Sequence, residues 1–455
     1  MLKRLVFSNF KSWAHADLHC APITGVFGTN SSGKTSLIQF PLLLKQTKNA
    51  TDRALALDLN GDLVKLGRIG DAIHQHDTTR FIDWGLAFEL SKDLVLADPS
   101  EATAPSIARG HILDIYAKVD VHQGGPRTLA LRYGLGELQF TLRTNEAQPN
   151  GFELRARSLM EKASSFQFKR SKGRPWQLPG PVNSYAFPDQ ARTYFQNAGF
   201  LADLEATYES ALDKIFYLGP LREPPRRDYL WNRSRPSDVG VKGEKAVDAI
   251  IAATADGEQR NLVPKGRLRP FQEVVAHWLR KLGLIEGFRV EEIAKQNSFF
   301  VAKVTTRKGA AEVLLTDVGF GISQVLPVVT LLQYVPKGST VILEQPEIHL
   351  HPLAQAELAD VIVQAAIHRK VQVIFESHSE HLLLRLQRRV AEESLPADAV
   401  RLYFCDAPHG VSELEPLELD LYGRIRNWPE KFMGDAFGET AEAELARLKR
   451  MRTSP

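Results

Sequence analysis

A chain of 455 residues has room for two or three domains, or for one domain carrying a large insertion. An apolar share of 44% with 24% charged residues fits a soluble globular protein, and a formal charge of +3 argues against a strongly basic nucleic-acid binder. Two cysteines, Cys20 and Cys405, exclude a disulfide framework and a cysteine metal cluster. No apolar run approaches a membrane span and no signal-peptide core opens the chain, so the expected setting is reducing and cytoplasmic, with no membrane partner.

Residues 2–10 alternate as a strand, closed by Asn9-Phe10-Lys11-Ser12. A short buried strand over 22–27 then runs into Gly28-Thr29-Asn30-Ser31-Ser32-Gly33-Lys34-Thr35, and an apolar helix follows over 36–44. Strand, Gly-x4-Gly-Lys-Thr loop and helix are the context of a phosphate-binding loop. Its glycines permit the tight turn, and its N–H groups and helix N-terminus face anionic oxygens. The candidate nucleotide-binding run is therefore Asn30, Ser31, Ser32, Gly33, Lys34, Thr35 and Ser36. Lys34 adds a point charge, and Thr35 is placed to hold Mg²⁺ by its hydroxyl.

Residues 79–90 read as a strand and 94–106 as a surface loop. Antiparallel strands are predicted over 112–119, 127–133 and 138–142. The chain turns polar over 145–180, where Lys169, Arg170, Lys172 and Arg174 with Phe166, Phe168 and Trp176 suit a backbone-plus-stacking surface. Helical spacing covers 198–216, followed by Tyr217-Leu218-Gly219-Pro220-Leu221-Arg222 and by Arg226, Arg227, Arg233 and Arg235. That arginine cluster has three readings: a nucleic-acid contact, a contact to a neighbour's nucleotide, or a solvated loop. Helices over 242–255 and 271–282 flank a basic loop at 259–270, and strands follow over 288–293 and 299–306.

A second block of chemistry begins at Gly319-Phe320-Gly321-Ile322-Ser323-Gln324, where glycines and a serine open an apolar helix. The buried strand 339–343 ends in Glu344-Gln345-Pro346-Glu347, and an acidic residue there is where a P-loop enzyme holds magnesium. His349-Leu350-His351-Pro352 precedes a helix over 353–368; without a third ligand nearby, these histidines read as interface structure rather than a metal site. The strand 371–375 runs into Glu376-Ser377-His378-Ser379 at the sheet edge where ligands of open α/β sheets collect.

This ordered set of motifs resembles the ABC-type ATPases, and within them the RecF, SMC and OLD branch. Tyr217 to Arg222 and the tail Trp428-Pro429-Glu430-Lys431-Phe432 with Gly434-Asp435 are similar to bacterial AAA family ATPases with an uncharacterised C-terminal domain. Relatives of that kind include ATPase subunits of anti-phage systems such as Septu and PARIS. The resemblance implies an α/β P-loop NTPase fold, an ABC-type cassette split by an α+β insertion or lid. Its parts would be cassette residues 1–90 and 305–410, an insertion at 91–304 and a tail domain at 411–455. It implies ATP and Mg²⁺ as cofactors, with Lys34 and Thr35 on phosphates and Mg²⁺, Glu344 on the Mg²⁺ side and Gln75 as a Mg²⁺-linked glutamine. Phe10 and Lys11 would lie beside the base. His378 would sense the γ-phosphate, and Ser323 would reach the nucleotide of a second subunit.

Two positions depart from that pattern. Gln345 stands where a water-activating glutamate is usual, and a carboxamide cannot take a proton, so hydrolysis is expected to be slow unless Glu347 substitutes. The signature keeps Ser323, but Val325 replaces a glycine. The expected function is an ATPase that dimerises on ATP and regulates a partner effector, a nuclease, in anti-phage defence or DNA metabolism. Alternatives are an ATP-gated scaffold with negligible turnover and a RecF-like, DNA-binding repair ATPase. No nuclease chemistry is visible in the chain itself.

Overall fold

The structure, a computed structural model, describes residues 1–97, 106–145, 151–159, 166–173, 177–293, 298–429 and 446–447. Arg174, Trp176, the 430–435 part of the tail motif and parts of the polar and Ala/Pro-rich loops named above lie outside the described residues.

The chain opens with β1 (Leu2–Phe10), β2 (Trp13–His19), β3 (Ile23–Gly28) and α1 (Lys34–Asn49). After a short helix α2 (Ile69–Ala72) come β4 (Ile82–Leu96), β5 (Ala108–His122), β6 (Gly125–Leu135), β7 (Leu138–Thr144) and β8 (Phe152–Ser158). These form a seven-stranded antiparallel sheet in the order β2-β1-β4-β5-β6-β7-β8. Its buried residues alternate, as Leu5 and Phe7 on β1 and Phe140 and Leu142 on β7 show, which is the pattern of a sheet with one covered face. β8 was hidden in the polar stretch of the sequence, because Phe152, Leu154 and Ala156 alternate with charged residues over only seven positions.

The second sheet carries the chemistry. Helices α3 (Asp189–Tyr194) and α4 (Leu201–Asp213) lead into β9 (Ile215–Leu218), a four-residue strand that the sequence reading extended as helix. All four residues are buried, and a short all-apolar run does not separate strand from helix by periodicity. Smaller elements follow: β10 (Tyr229–Leu230), α5 (Ala246–Ala255), a hairpin of β11 (Gln259–Asn261) and β12 (Leu268–Pro270), α6 (Phe271–Lys281), β13 (Gly287–Glu292), β14 (Phe299–Thr305) and β15 (Val313–Leu314). Then α7 (Phe320–Tyr334), β16 (Thr340–Glu344), α8 (Pro352–Ile367), β17 (Gln372–Glu376), α9 (Glu380–Ala391), β18 (Val400–Asp406) and β19 (Glu413–Leu417) complete the fold.

The central sheet runs β19-β18-β3-β17-β16-β9, parallel throughout except for β19. β9, β16 and β17 are buried along their whole length, as expected for strands covered on both faces. α1 lies where the two sheets meet, with Phe40 stacked on Phe7 at 4.6 Å and set edge-on to Phe10 at 4.9 Å. The buried amide of Gln372 ties the sheets: its Nε2 donates to Leu2 O and Ala21 O, and its Oε1 accepts from Leu2 N and Thr340 Oγ1. Among the described residues no helix is long and apolar enough to cross a membrane.

Candidate nucleotide site

β3, β16 and β17 are parallel, so their C-terminal ends open on one edge. There Glu344 and Glu376 are register partners as the last residues of adjacent strands, and the loop after β3 sits next to them. A cavity of about 400 Å³ results, lined by Lys11, Ser12, the run Asn30 to Ser36, Gln345, Glu376 and His378. α1 begins here behind Gly33, whose φ of +94° suits glycine and which supplies no side-chain cap. An uncapped N-terminus on a 16-residue helix leaves N–H groups and a positive helix end for an anion.

Lys34 is folded onto its own loop, donating to the carbonyls of Gly28 (3.1 Å) and Thr29 and to Ser32 Oγ (3.4 Å). Burial lowers its pKa, and the neighbouring Glu376 carboxylate opposes that shift. Thr35 Oγ1 donates to Glu376 Oε2 at 2.9 Å. Burial, and then the neighbouring Glu344, push Glu376 up to about 7. His378 lies at the mouth, and partial burial with the Lys34 charge lowers its pKa, leaving a neutral ring at pH 7.

Glu344 lies deeper. It is 3% exposed and does not line the cavity; Tyr217 OH donates to its Oε1 at 2.8 Å and Gln39 Nε2 at 3.4 Å. Burial raises its pKa. Glu347 is equally sealed, its Oε1 accepting from Ser377 Oγ (2.7 Å) and the His378 N–H (2.9 Å), while its Oε2 is buried without a partner. Burial is again the main cause of its raised pKa. Gln345 occupies the turn between them at φ +42°, a strained setting for a residue with a side chain, and its N–H donates to Glu376 O at 3.1 Å.

Of the residues named from sequence, Lys11, Asn30, Ser31, Ser32, Gly33, Lys34, Thr35, Ser36, Gln345 and His378 come together around this cavity. Phe10 does not. Its ring is 0% exposed against Phe7 and Phe40, because β1 turns at Asn9 (φ +57°) and Lys11 (φ +51°) and presents Lys11 instead. Gln75 also stands apart, exposed on a short turn with its Oε1 accepting from Arg80 at 3.2 Å. Ser323 opens α7 with its hydroxyl donating to Phe320 O at 2.8 Å and lines a separate cleft with Glu223 and Arg226.

The arginine cluster divides by burial. Arg222 is 8% exposed behind β16, with Nη2 directed at Glu344 O (3.4 Å) and Nε and Nη1 buried without partners. Arg226 pairs with Glu223, Arg227 with Asp317 and Arg235 with Asp256. Phe166 and Phe168 are partly buried and pack against Phe140 and Phe200. Glu376 and Arg222 were thus undervalued by sequence reasoning. A usable signal for Glu376 was that both buried strands, Val-Ile-Leu-Glu and Val-Ile-Phe-Glu, end in glutamate.

The fold is the mixed α/β fold of P-loop NTPases. Residues 196–385, which begin beyond the phosphate loop, match a family described as "AAA domain, putative AbiEii toxin, Type IV TA system". Residues 395–442 match a "Protein of unknown function (DUF3696)". No curated protein matches the chain. Among solved structures it is similar to an SMC head bound to the C-winged helix domain of ScpA, at 11% identity over 92% of this chain and 98% of that one, TM-score 0.45. It is also similar to an Smc head with an extended coiled coil bound to the C-terminal domain of ScpA derived from Pyrococcus furiosus (11%, 98% and 99%, TM-score 0.45). The SMC head domain from Thermotoga maritima gives 12%, 92% and 99%, TM-score 0.38.

Proposed function

We propose that the chain is a slow ATPase that binds MgATP at the phosphate loop and uses bound nucleotide to dimerise and regulate an effector. The observation that carries this is the convergence of Asn30 to Ser36 with Gln345, Glu376 and His378 around one cavity at an uncapped helix N-terminus. In this reading the loop N–H groups and Lys34 hold the phosphates, and Lys34 exchanges its carbonyl partners for phosphate oxygens. Bound Mg²⁺ would neutralise charge on those oxygens, with Thr35 and a carboxylate of the adjacent strand ends as its protein ligands. Gln345 orients water through its amide but leaves the proton without an acceptor, and Glu347 is too enclosed to reach water without a shift of its turn.

Ser323 sits outside the cavity, which supports its assignment to the nucleotide of a second copy. Phe320 beside it is 73% exposed, and Leu353 in the first turn of α8 74%, apolar side chains suited to contact with that copy. The family description naming a type IV TA system supports a defence setting; the effector in this reading is a partner nuclease. Direct DNA binding loses Arg222, which is buried, while Arg226 and Arg227, paired with Glu223 and Asp317, keep more than half of their side chains exposed.

Phosphate release from the pure protein tests the assignment of Gln345. Gln345→Glu is expected to raise turnover at least ~10-fold, the usual scale of a positioned general base. An unchanged rate in that variant would show that position 345 is not where water is activated.

A further inference from the structure

We propose that Glu376, at the end of β17, rather than Glu344, is the carboxylate that faces the divalent cation of the nucleotide. The inference rests on the nucleotide reading above. Three strand ends offer a carboxylate on this edge, and they are not equivalent: Asp406, at the end of β18, accepts from Thr29 Oγ1 at 3.0 Å and does not line the cavity. Glu376 lines the cavity together with Thr35, and the Thr35 hydroxyl donates to its Oε2 at 2.9 Å. A loop threonine and a carboxylate in hydrogen-bond contact are the pair of protein groups that a phosphate-bound Mg²⁺ draws on. Glu344 is withdrawn from the cavity, and its Oε1 is held by Tyr217 and Gln39. The carbonyl of Glu344 also faces Arg222, a cation that marks this side of β16 as already neutralised.

Among the described residues no group of three or more His, Cys, Asp or Glu is arranged to hold a metal unaided. A cation here therefore needs oxygens from the nucleotide and water, and one well-placed carboxylate suffices. Glu344 then has a different task. It anchors the end of β16 to β9 through Tyr217 and keeps the Gln345 turn in register with β17, where Gln345 N–H meets Glu376 O.

The test uses the full chain with Mn²⁺ as the probe. Affinity for a fluorescent ATP analogue is first measured in EDTA, then Mn²⁺ is titrated against protein loaded with non-hydrolysable ATP, following free Mn²⁺ by electron paramagnetic resonance. Glu376→Gln is expected to weaken Mn²⁺ binding at least ~10-fold while metal-free nucleotide affinity stays within about twofold. Glu344→Gln should change Mn²⁺ affinity less. Glu376→Asp, which keeps the charge, should fall between wild type and Glu376→Gln, and it replaces the latter if that variant does not fold. Unchanged Mn²⁺ affinity in Glu376→Gln, or a larger loss in Glu344→Gln, overturns the assignment. Failure of the wild type to bind the analogue both in EDTA and with Mn²⁺ would instead overturn the nucleotide reading, and Glu376 with it.

Discussion

Gly28→Ala is expected to destabilise the protein by about 2–5 kcal/mol and to cost it nucleotide binding. Gly28 ends β3 at φ +143°, and a Cβ there would lie 1.9 Å from the Cys405 carbonyl oxygen, 2.8 Å from its carbon and 3.0 Å from its nitrogen. Those atoms are main chain of β18, paired in register with β3, so no rotamer change relieves the clash. A side chain in this φ region costs ~1–2 kcal/mol, and forced separation of packed elements adds ~1–3. Opening β3 from β18 also moves the first residues of the phosphate loop, including the Gly28 and Thr29 carbonyls on which Lys34 rests. Urea unfolding with m-value analysis reads the effect; a midpoint unchanged from wild type would contradict it.

Arg222→Met is expected to separate stability from turnover. Burial holds the guanidinium at about 10, below its ordinary 12.5, despite attraction from Tyr217, Glu344 and Glu347. A drop of that size corresponds to about 3 kcal/mol spent on keeping the charge inside. Two buried donors without partners add to the cost. The carboxylates nearby keep their own donors, Tyr217 and Gln39 for Glu344, Ser377 and the His378 N–H for Glu347. An apolar side chain of similar length should therefore leave stability within ~1 kcal/mol of wild type or raise it. Phosphate release should nonetheless fall at least ~10-fold, because the Glu344–Glu347 turn loses the cation at its back. A variant that unfolds more readily yet turns over normally would show that Arg222 is structural.

The sequence made the phosphate loop legible because its chemistry is local: eight consecutive residues carry glycines, lysine and threonine at fixed offsets. The strand-end motifs at Glu344 and His378 were readable for a similar reason, since each follows a short apolar run. Long-range facts were not readable. Gly28 was legible as a turn glycine, but its contact with Cys405 joins residues far apart in the chain. Arg222 sat among exposed-looking arginines, and only the placement of β9 beside β16 carries it inside. Phe10 and Lys11 differ by one position, and the two left-handed residues at Asn9 and Lys11 decide which of them faces the cavity. Strand β9 failed for want of length, with four buried residues and no alternation to separate them from the end of α4.

Isothermal calorimetry of ATP with Mg²⁺, on wild type and Lys34→Ala, bears most directly on the central claim. Lys34 is 4% exposed, donates only to loop oxygens, and is the one side-chain ammonium among the residues lining the phosphate run between Asn30 and Ser36. The account predicts saturable binding to the wild type and a loss of at least ~100-fold in Lys34→Ala, the scale of removing a buried charge-assisted contact. Equal ATP affinity in the two proteins would contradict it.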